Sequence, residues 1–174
     1  MSKPEPEIQL ALDQLTAEVS AGHGPLRLAA LATIAGHEPQ VRHVIIRHFS
    51  EAAMSLIFFC RADDAKFGEI ASHPAVELVC YARHPDRQIR LAGTAANLTD
   101  PAKLELLWAQ VSPGARRDYV VGRTAEDGSA PLTEPGTGLD RAPLFRAVEV
   151  SIRRIKVLTF EQDRWIERSY LPAD

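Results

Sequence analysis

Residues 41–93 constrain the fold of this 174-residue chain more than any other stretch. They hold a succession of short apolar runs: Val41 to Phe49, Leu56 to Cys60, Ala75 to Tyr81 and Gln88 to Leu98. Val44, Ile45 and Ile46 are β-branched and consecutive, and Ile89 and Leu91 alternate with Gln88 and Arg90, which predicts strands. Gly93 marks a bend or a close backbone approach within the last strand. Between the runs lie turn and helix-start signals. Ala62-Asp63-Asp64 opens a short helix with Phe67 and Ile70 on its apolar side. Ser72-His73-Pro74 ends that helix, and His84-Pro85-Asp86 makes a turn. Short turns between strands, with helices as inserts, predict a mainly β, antiparallel barrel rather than parallel βαβ units.

The flanking segments fit the same plan. Ile8, Leu12, Leu15 and Val19 form one helical stripe, and Gly22, Gly24 and Pro25 stop it. Leu26 to Ile34 reads as the first strand, with helix the competing reading because Ala and Leu favour it. Gly36-His37-Glu38-Pro39 is a turn. Thr99-Asp100-Pro101 caps a helix whose buried stripe is Leu104, Leu107, Trp108 and Val111. Pro113-Gly114 breaks it, and a basic helix follows through Arg116, Arg117 and Tyr119. Residues 122–143 show no periodicity and read as a long loop. Leu144 to Ile152, Ile155 to Phe160 and Arg164 to Tyr170 read as three closing strands. The total is about eight strands in a single domain, 1–174.

The net charge of −3 offers no bulk attraction to nucleic acid or an anionic membrane, so any anion site is local. No run approaches the ~18 apolar residues of a membrane span. The N-terminus lacks the charged-then-apolar pattern of a signal peptide. Cytoplasmic location and free thiols at Cys60 and Cys80 are therefore expected. The six histidines show no metal-ligand spacing, and no metal site is expected.

Cations recur along this central stretch: Arg42, Arg47 and Arg90 in the strand runs and Lys66 in the short helix. Singly, each reads equally well as a solvated surface charge. Together they supply the convergent charge-assisted donors that a phosphate dianion needs. Val44, Ile45 and Phe59 can wall an aromatic ring, and the 43–46 backbone and the Gln88 amide can meet its polar edge. Alternation places Arg42, Val44 and Ile46 on one strand face, and His43, Ile45 and Arg47 on the other.

In Arg42-His43-Val44-Ile45-Ile46-Arg47, Phe59-Cys60, Lys66 and Gln88-Ile89-Arg90-Leu91-Ala92-Gly93, in that order and spacing, the chain resembles the pyridoxamine 5'-phosphate oxidase-like family. The resemblance covers roughly residues 27–112 well and the C-terminal third weakly. It implies an antiparallel, Greek-key-like split β-barrel that binds flavin mononucleotide (FMN) at the interface of a homodimer, as a flavin-dependent oxidoreductase. By the same resemblance Arg42, His43, Val44, Ile45 and Arg47 hold the ring and phosphate. Phe59 and Cys60 line the ribityl and phosphate side, Lys66 binds the phosphate, and Gln88 contacts the ring edge. Two departures stand out. Ala62-Asp63-Asp64-Ala65 replaces a phosphate-binding Arg and Ser. Leu107, Val111 and Ala115, with Ile166-Glu167-Arg168-Ser169-Tyr170, stand where the vitamin B6 oxidases carry substrate-phosphate and C-terminal motifs. Oxidation of B6 vitamers is therefore not expected. The alternatives are a non-catalytic flavin or haem carrier, and a flavin-free barrel.

Overall fold

The computed structural model describes residues 4–119, 142 and 144–172. Helix α1 (Pro6–Ala21) buries Ile8, Ala11, Leu12, Leu15 and Val19, the stripe expected from the spacing, and ends at Gly22 in the left-handed conformation. A 3-10 turn (Pro25–Arg27) feeds strand β1 (Leu28–Ala35). Its Ala- and Leu-rich sequence favours a helix, yet it is hydrogen-bonded between two strands and buries alternate residues Ala29, Leu31 and Thr33. Pairing on both edges outweighs an intrinsic preference of a few tenths of a kcal/mol per residue.

Strands β2 (Glu38–Ser50) and β3 (Ser55–Arg61), helix α2 (Ala65–Ser72), and strands β4 (Ala75–Arg83) and β5 (Asp86–Asn97) follow in the predicted order. Helix α3 (Pro101–Ala109) is capped by Asp100, whose carboxylate accepts from the Ala102 N–H. The short α4 (Pro113–Arg116) runs into a 3-10 turn (Arg117–Tyr119). Strands β6 (Phe145–Glu161) and β7 (Arg164–Tyr170) close the chain.

The sheet order is β3-β2-β1-β4-β5-β6-β7, every pairing is antiparallel, and β3 also pairs with β6. The last pairing closes β1 to β6 into a barrel and leaves β7 on its flank. The return of β4 to lie beside β1 is a Greek key.

One expectation is corrected here. The separate strands 144–152 and 155–160 are a single 17-residue strand, β6, so the described residues contain seven strands. Arg153-Arg154 looks like a polar break in the sequence, but it sits at a β-bulge. The register passes from Ala92↔Arg154 to Gly93↔Ile152 and leaves Arg153 as the extra residue. Gly93 faces this bulge, and a Cβ there would lie 2.1 Å from the Ser151 carbonyl oxygen. The close approach read from the lone strand glycine is present.

The main core fills the barrel and the underside of α1. A second cluster joins α3 to the β3–β6 edge through Leu104, Leu107, Trp108, Val111, Tyr119 and Phe145. The predicted 122–143 loop, apart from Ala142, lies outside the described residues. Among the described residues no helix is long and apolar enough to cross a membrane.

Candidate functional site

Strand β2 alternates as its sequence requires. Val44 and Ile46 turn inward, while Val41, His43 and Ile45 are exposed. The β2–β3 register then slips between Ile46 and His48, so Arg47 is the extra residue of a bulge. A bulge re-aims a side chain. Here Arg47 turns over the face of Phe59, its guanidinium carbon 5.5 Å from the ring centroid.

The result is a cleft of about 370 Å³ lined by Leu28, His43, Val44, Ile45, Arg47, Phe59, Lys66, Asp118 and Tyr119. Small-molecule sites span roughly 300–1,000 Å³. Its wall is aromatic and aliphatic. Phe59 packs edge-on against Phe145, with centroids 5.0 Å apart, and Tyr119 packs against the same ring at 5.2 Å. The second core cluster therefore holds both cleft aromatics in place.

The electrostatics are lopsided. The Arg47 Nε is buried with no hydrogen-bond partner among the described residues. Burial, then the charges of Arg47 and Lys103, hold His48 below the usual imidazole pKa. Burial and the neighbouring Arg47 also depress Arg27. A cation that repels its neighbours, with one buried donor unmet among the described residues, fits an anionic or electron-rich guest.

The other expected cation is engaged. Lys66 Nζ donates to Asp64 Oδ2 at 2.6 Å, and that carboxylate also accepts the Arg61 backbone N–H at 3.1 Å. Asp64 precedes α2 but makes no side-chain cap to it. Asp63 faces Arg61, whose Nε and Nη2 donate to its two oxygens at 2.7 and 2.6 Å. That hydrogen bond, with the Asp63 charge, raises the Arg61 pKa. Arg61 also donates to the Asp118 carbonyl and so ties the 117–119 turn to the rim. Each aspartate of the Asp63-Asp64 pair is matched to a cation.

The structure thus brings His43, Val44, Ile45, Arg47, Phe59 and Lys66 together and leaves three expected residues outside the lining. Arg42 is instead bonded to Glu69 and Thr33. Cys60 points inward at 3 % exposure, and burial pushes its thiol up to about 12, an inert group. Gln88 lies in a separate hollow on the outer sheet face with Ala30, Val41, Val79 and Arg90. Leu28, Asp118 and Tyr119 line the cleft without having been singled out for it. Leu28 carried one available signal, the apolar residue at the start of a strand that pairs with Ile45. Asp118 and Tyr119 arrive from a distant segment, which no local pattern announces.

Comparison with known proteins shows the family and the fold. The family model described as "Pyridoxamine 5'-phosphate oxidase, FMN-binding domain" matches residues 9–99. A pyridoxine/pyridoxamine 5'-phosphate oxidase of Novosphingobium aromaticivorans is 31% identical over 131 residues, covering 75% of this chain and 61% of its own length. A protein of the same name from Sphingopyxis alaskensis is 32% identical over 99 residues, covering 57% of this chain and 43% of its own. The chain therefore spans less than two thirds of either relative. Among solved structures, a pyridoxamine 5'-phosphate oxidase-related, FMN-binding protein from Nostoc punctiforme superposes with a TM-score of 0.73 at 18% identity, over 99% of this chain and 100% of that one. PhzG from Burkholderia lata, solved in complex with tetrahydrophenazine-1-carboxylic acid, gives 0.73 at 18% identity over 98% and 95%. At such identities the likeness speaks for a shared split-barrel fold.

Proposed function

Because the chain belongs to the pyridoxamine 5'-phosphate oxidase FMN-binding-domain family, we propose that it holds FMN in the cleft at the end of β2 and acts as a flavin-dependent oxidoreductase. The carrying observation is Arg47: a guanidinium laid on an aromatic wall, with a buried donor that nothing in the described chain accepts. Phe59, Val44, Ile45 and Leu28 suit a flat apolar ring. Arg47, His43 and Lys66 suit its electron-rich edge and phosphate. When bound, the flavin supplies hydride or electron transfer, and the protein supplies orientation and electrostatics. Lys66 must exchange its Asp64 partner for the phosphate, or share itself between them, so Asp64 lowers the net gain of binding.

The substrate is not expected to be a B6 phosphate bound in the usual way. Leu107 and Val111, which occupy the substrate-phosphate positions by resemblance, are buried apolar residues of the second core cluster.

A homodimer belongs to the same proposal. The outer face of β1, β2 and β4 exposes Leu28 (49 %), Ile34, Val41 (68 %), Ile45 and Tyr81. An apolar sheet face of that kind calls for a partner. Leu28 and Ile45 belong both to this face and to the cleft, so a second copy packed on the face would wall the cofactor. Gln88 lies in the hollow of the same face and would reach a ring edge from the partner subunit.

Asp64 favours a second reading, a barrel that has given up flavin. Mixing the purified protein with FMN, desalting it and recording the visible spectrum separates the two. Retained flavin bands support the proposed function, and a colourless protein supports the second reading.

A further inference from the structure

Arg42 heads the strand segment that the resemblance assigns to the cofactor, yet its guanidinium is committed elsewhere. Nη2 donates to Glu69 Oε2 at 2.7 Å, and Nη1 donates to the Thr33 hydroxyl. That hydroxyl donates to the same Glu69 oxygen at 2.5 Å. Thr33 is buried, and the Glu69 side chain is 10% exposed, so the triad is largely screened from water. Breaking such a pair from one side leaves an uncompensated charge.

The three partners sit on β1, β2 and α2. Glu69 lies three residues after Lys66 on α2, so the two side chains share one side of the helix. An isolated eight-residue helix does not hold itself in water. Its other anchors include Ile70 in the core, the Phe67 ring packed against that core with the Arg146 guanidinium 5.9 Å from its centroid, and the Asn97 side-chain amide, which donates to the Phe67 carbonyl at 2.9 Å. The Arg42–Glu69 ion pair joins the helix to β2, and the Thr33 hydroxyl on the same carboxylate joins it to β1.

We propose that Arg42 is a positioning residue. It fixes the rotation of α2 through Glu69 and thereby sets where Lys66 enters the cleft, and it does not touch the ligand. This rests on the flavin reading for the identity of the ligand, but not for the clamping of the helix.

The test combines Arg42→Met, Glu69→Gln and Lys66→Ala with two probes, FMN and riboflavin, which lacks the phosphate. Affinity is read by flavin fluorescence quenching, and amide hydrogen exchange of residues 65–72 is read without flavin. Arg42→Met and Glu69→Gln are each expected to weaken FMN roughly tenfold, the scale of one lost charge-assisted contact. Riboflavin affinity should stay unchanged, and Arg42→Met should cost nothing more in the Lys66→Ala background. Exchange across 65–72 should quicken in both clamp variants. Tighter FMN binding in Glu69→Gln would show that the released Arg42 is a phosphate ligand and overturn the proposal. Equal losses for FMN and riboflavin would reduce Arg42 to general structural support and overturn it too. If the wild-type protein takes up neither flavin, the flavin reading falls. Faster exchange at 65–72 would then still uphold the clamp, and unchanged exchange would overturn it.

Discussion

Replacing Arg47 by Met should move stability and ligand affinity in opposite directions. In the flavin-free protein the buried, unpartnered Nε is a cost, typically about 1–3 kcal/mol for a fully unsatisfied group. The side chain is only half-buried, so the lower end applies. The stacking on Phe59 returns about 0.5–1 kcal/mol. Met keeps the aliphatic stem against the ring and removes the charge that opposes Arg27 and His48. The balance is a protein between unchanged and about 1 kcal/mol more stable, read from urea unfolding without flavin. FMN affinity should fall about 10- to 100-fold, the equivalent of a lost contact worth about 1.5–3 kcal/mol, read by fluorescence quenching. The His48 pKa, followed by NMR, should rise towards its ordinary value as one of its opposing charges disappears. A loss of more than about 1 kcal/mol in the flavin-free protein would make Arg47 a structural residue, and undiminished FMN affinity would remove it from the site.

Gly93→Ala should destabilise by about 3 kcal/mol or more, the upper end for overpacking, because the added carbon meets a backbone carbonyl of the β5–β6 ladder at 2.1 Å. A loss below about 1 kcal/mol in urea unfolding would contradict the close approach. Cys60 and Cys80, both buried and pushed up to about 12, should resist an aromatic disulfide reagent at pH 8, where roughly one thiol in ten thousand is ionised. Both should react once the protein is unfolded in urea, and rapid labelling of the native protein would refute their burial. The depressed His48 pKa means that below the ordinary value of 6.5 the unfolded chain takes up a proton before the folded one does. Its contribution is therefore present in full above 6.5 and shrinks as pH falls from there towards the folded-state pKa. His48→Asn should flatten that part of the stability–pH curve, and an unaltered slope would exclude His48 as its source.

Much of this architecture is local, and so legible from sequence. The α1 stripe, the β2 alternation, the Asp100-Pro101 helix start and the Gly93 approach each follow from periodicity or from one residue's stereochemistry. The cations and apolar walls of residues 42–66 brought Val44, Ile45, Arg47, Phe59 and Lys66 into view together, because β2, β3 and α2 follow one another over a short span of chain, and the family resemblance added His43.

What the tertiary structure decided involves partners far apart in the chain. Leu28–Ala35 became a strand only because β2 and β4 pair with it. Arg153-Arg154 stayed within β6 because a bulge could absorb a polar pair there. Arg42 and Arg47 are alike in sequence. One is claimed by Glu69 and Thr33, while a register slip turns the other onto Phe59 with its donor unspent. Asp118 and Tyr119 reach the cleft from more than 50 residues beyond Phe59, held by Arg61 and the aromatic cluster. Periodicity reports which face of an element is apolar. Which charge meets which, and which is left for a ligand, depends on where separate elements come to rest against one another.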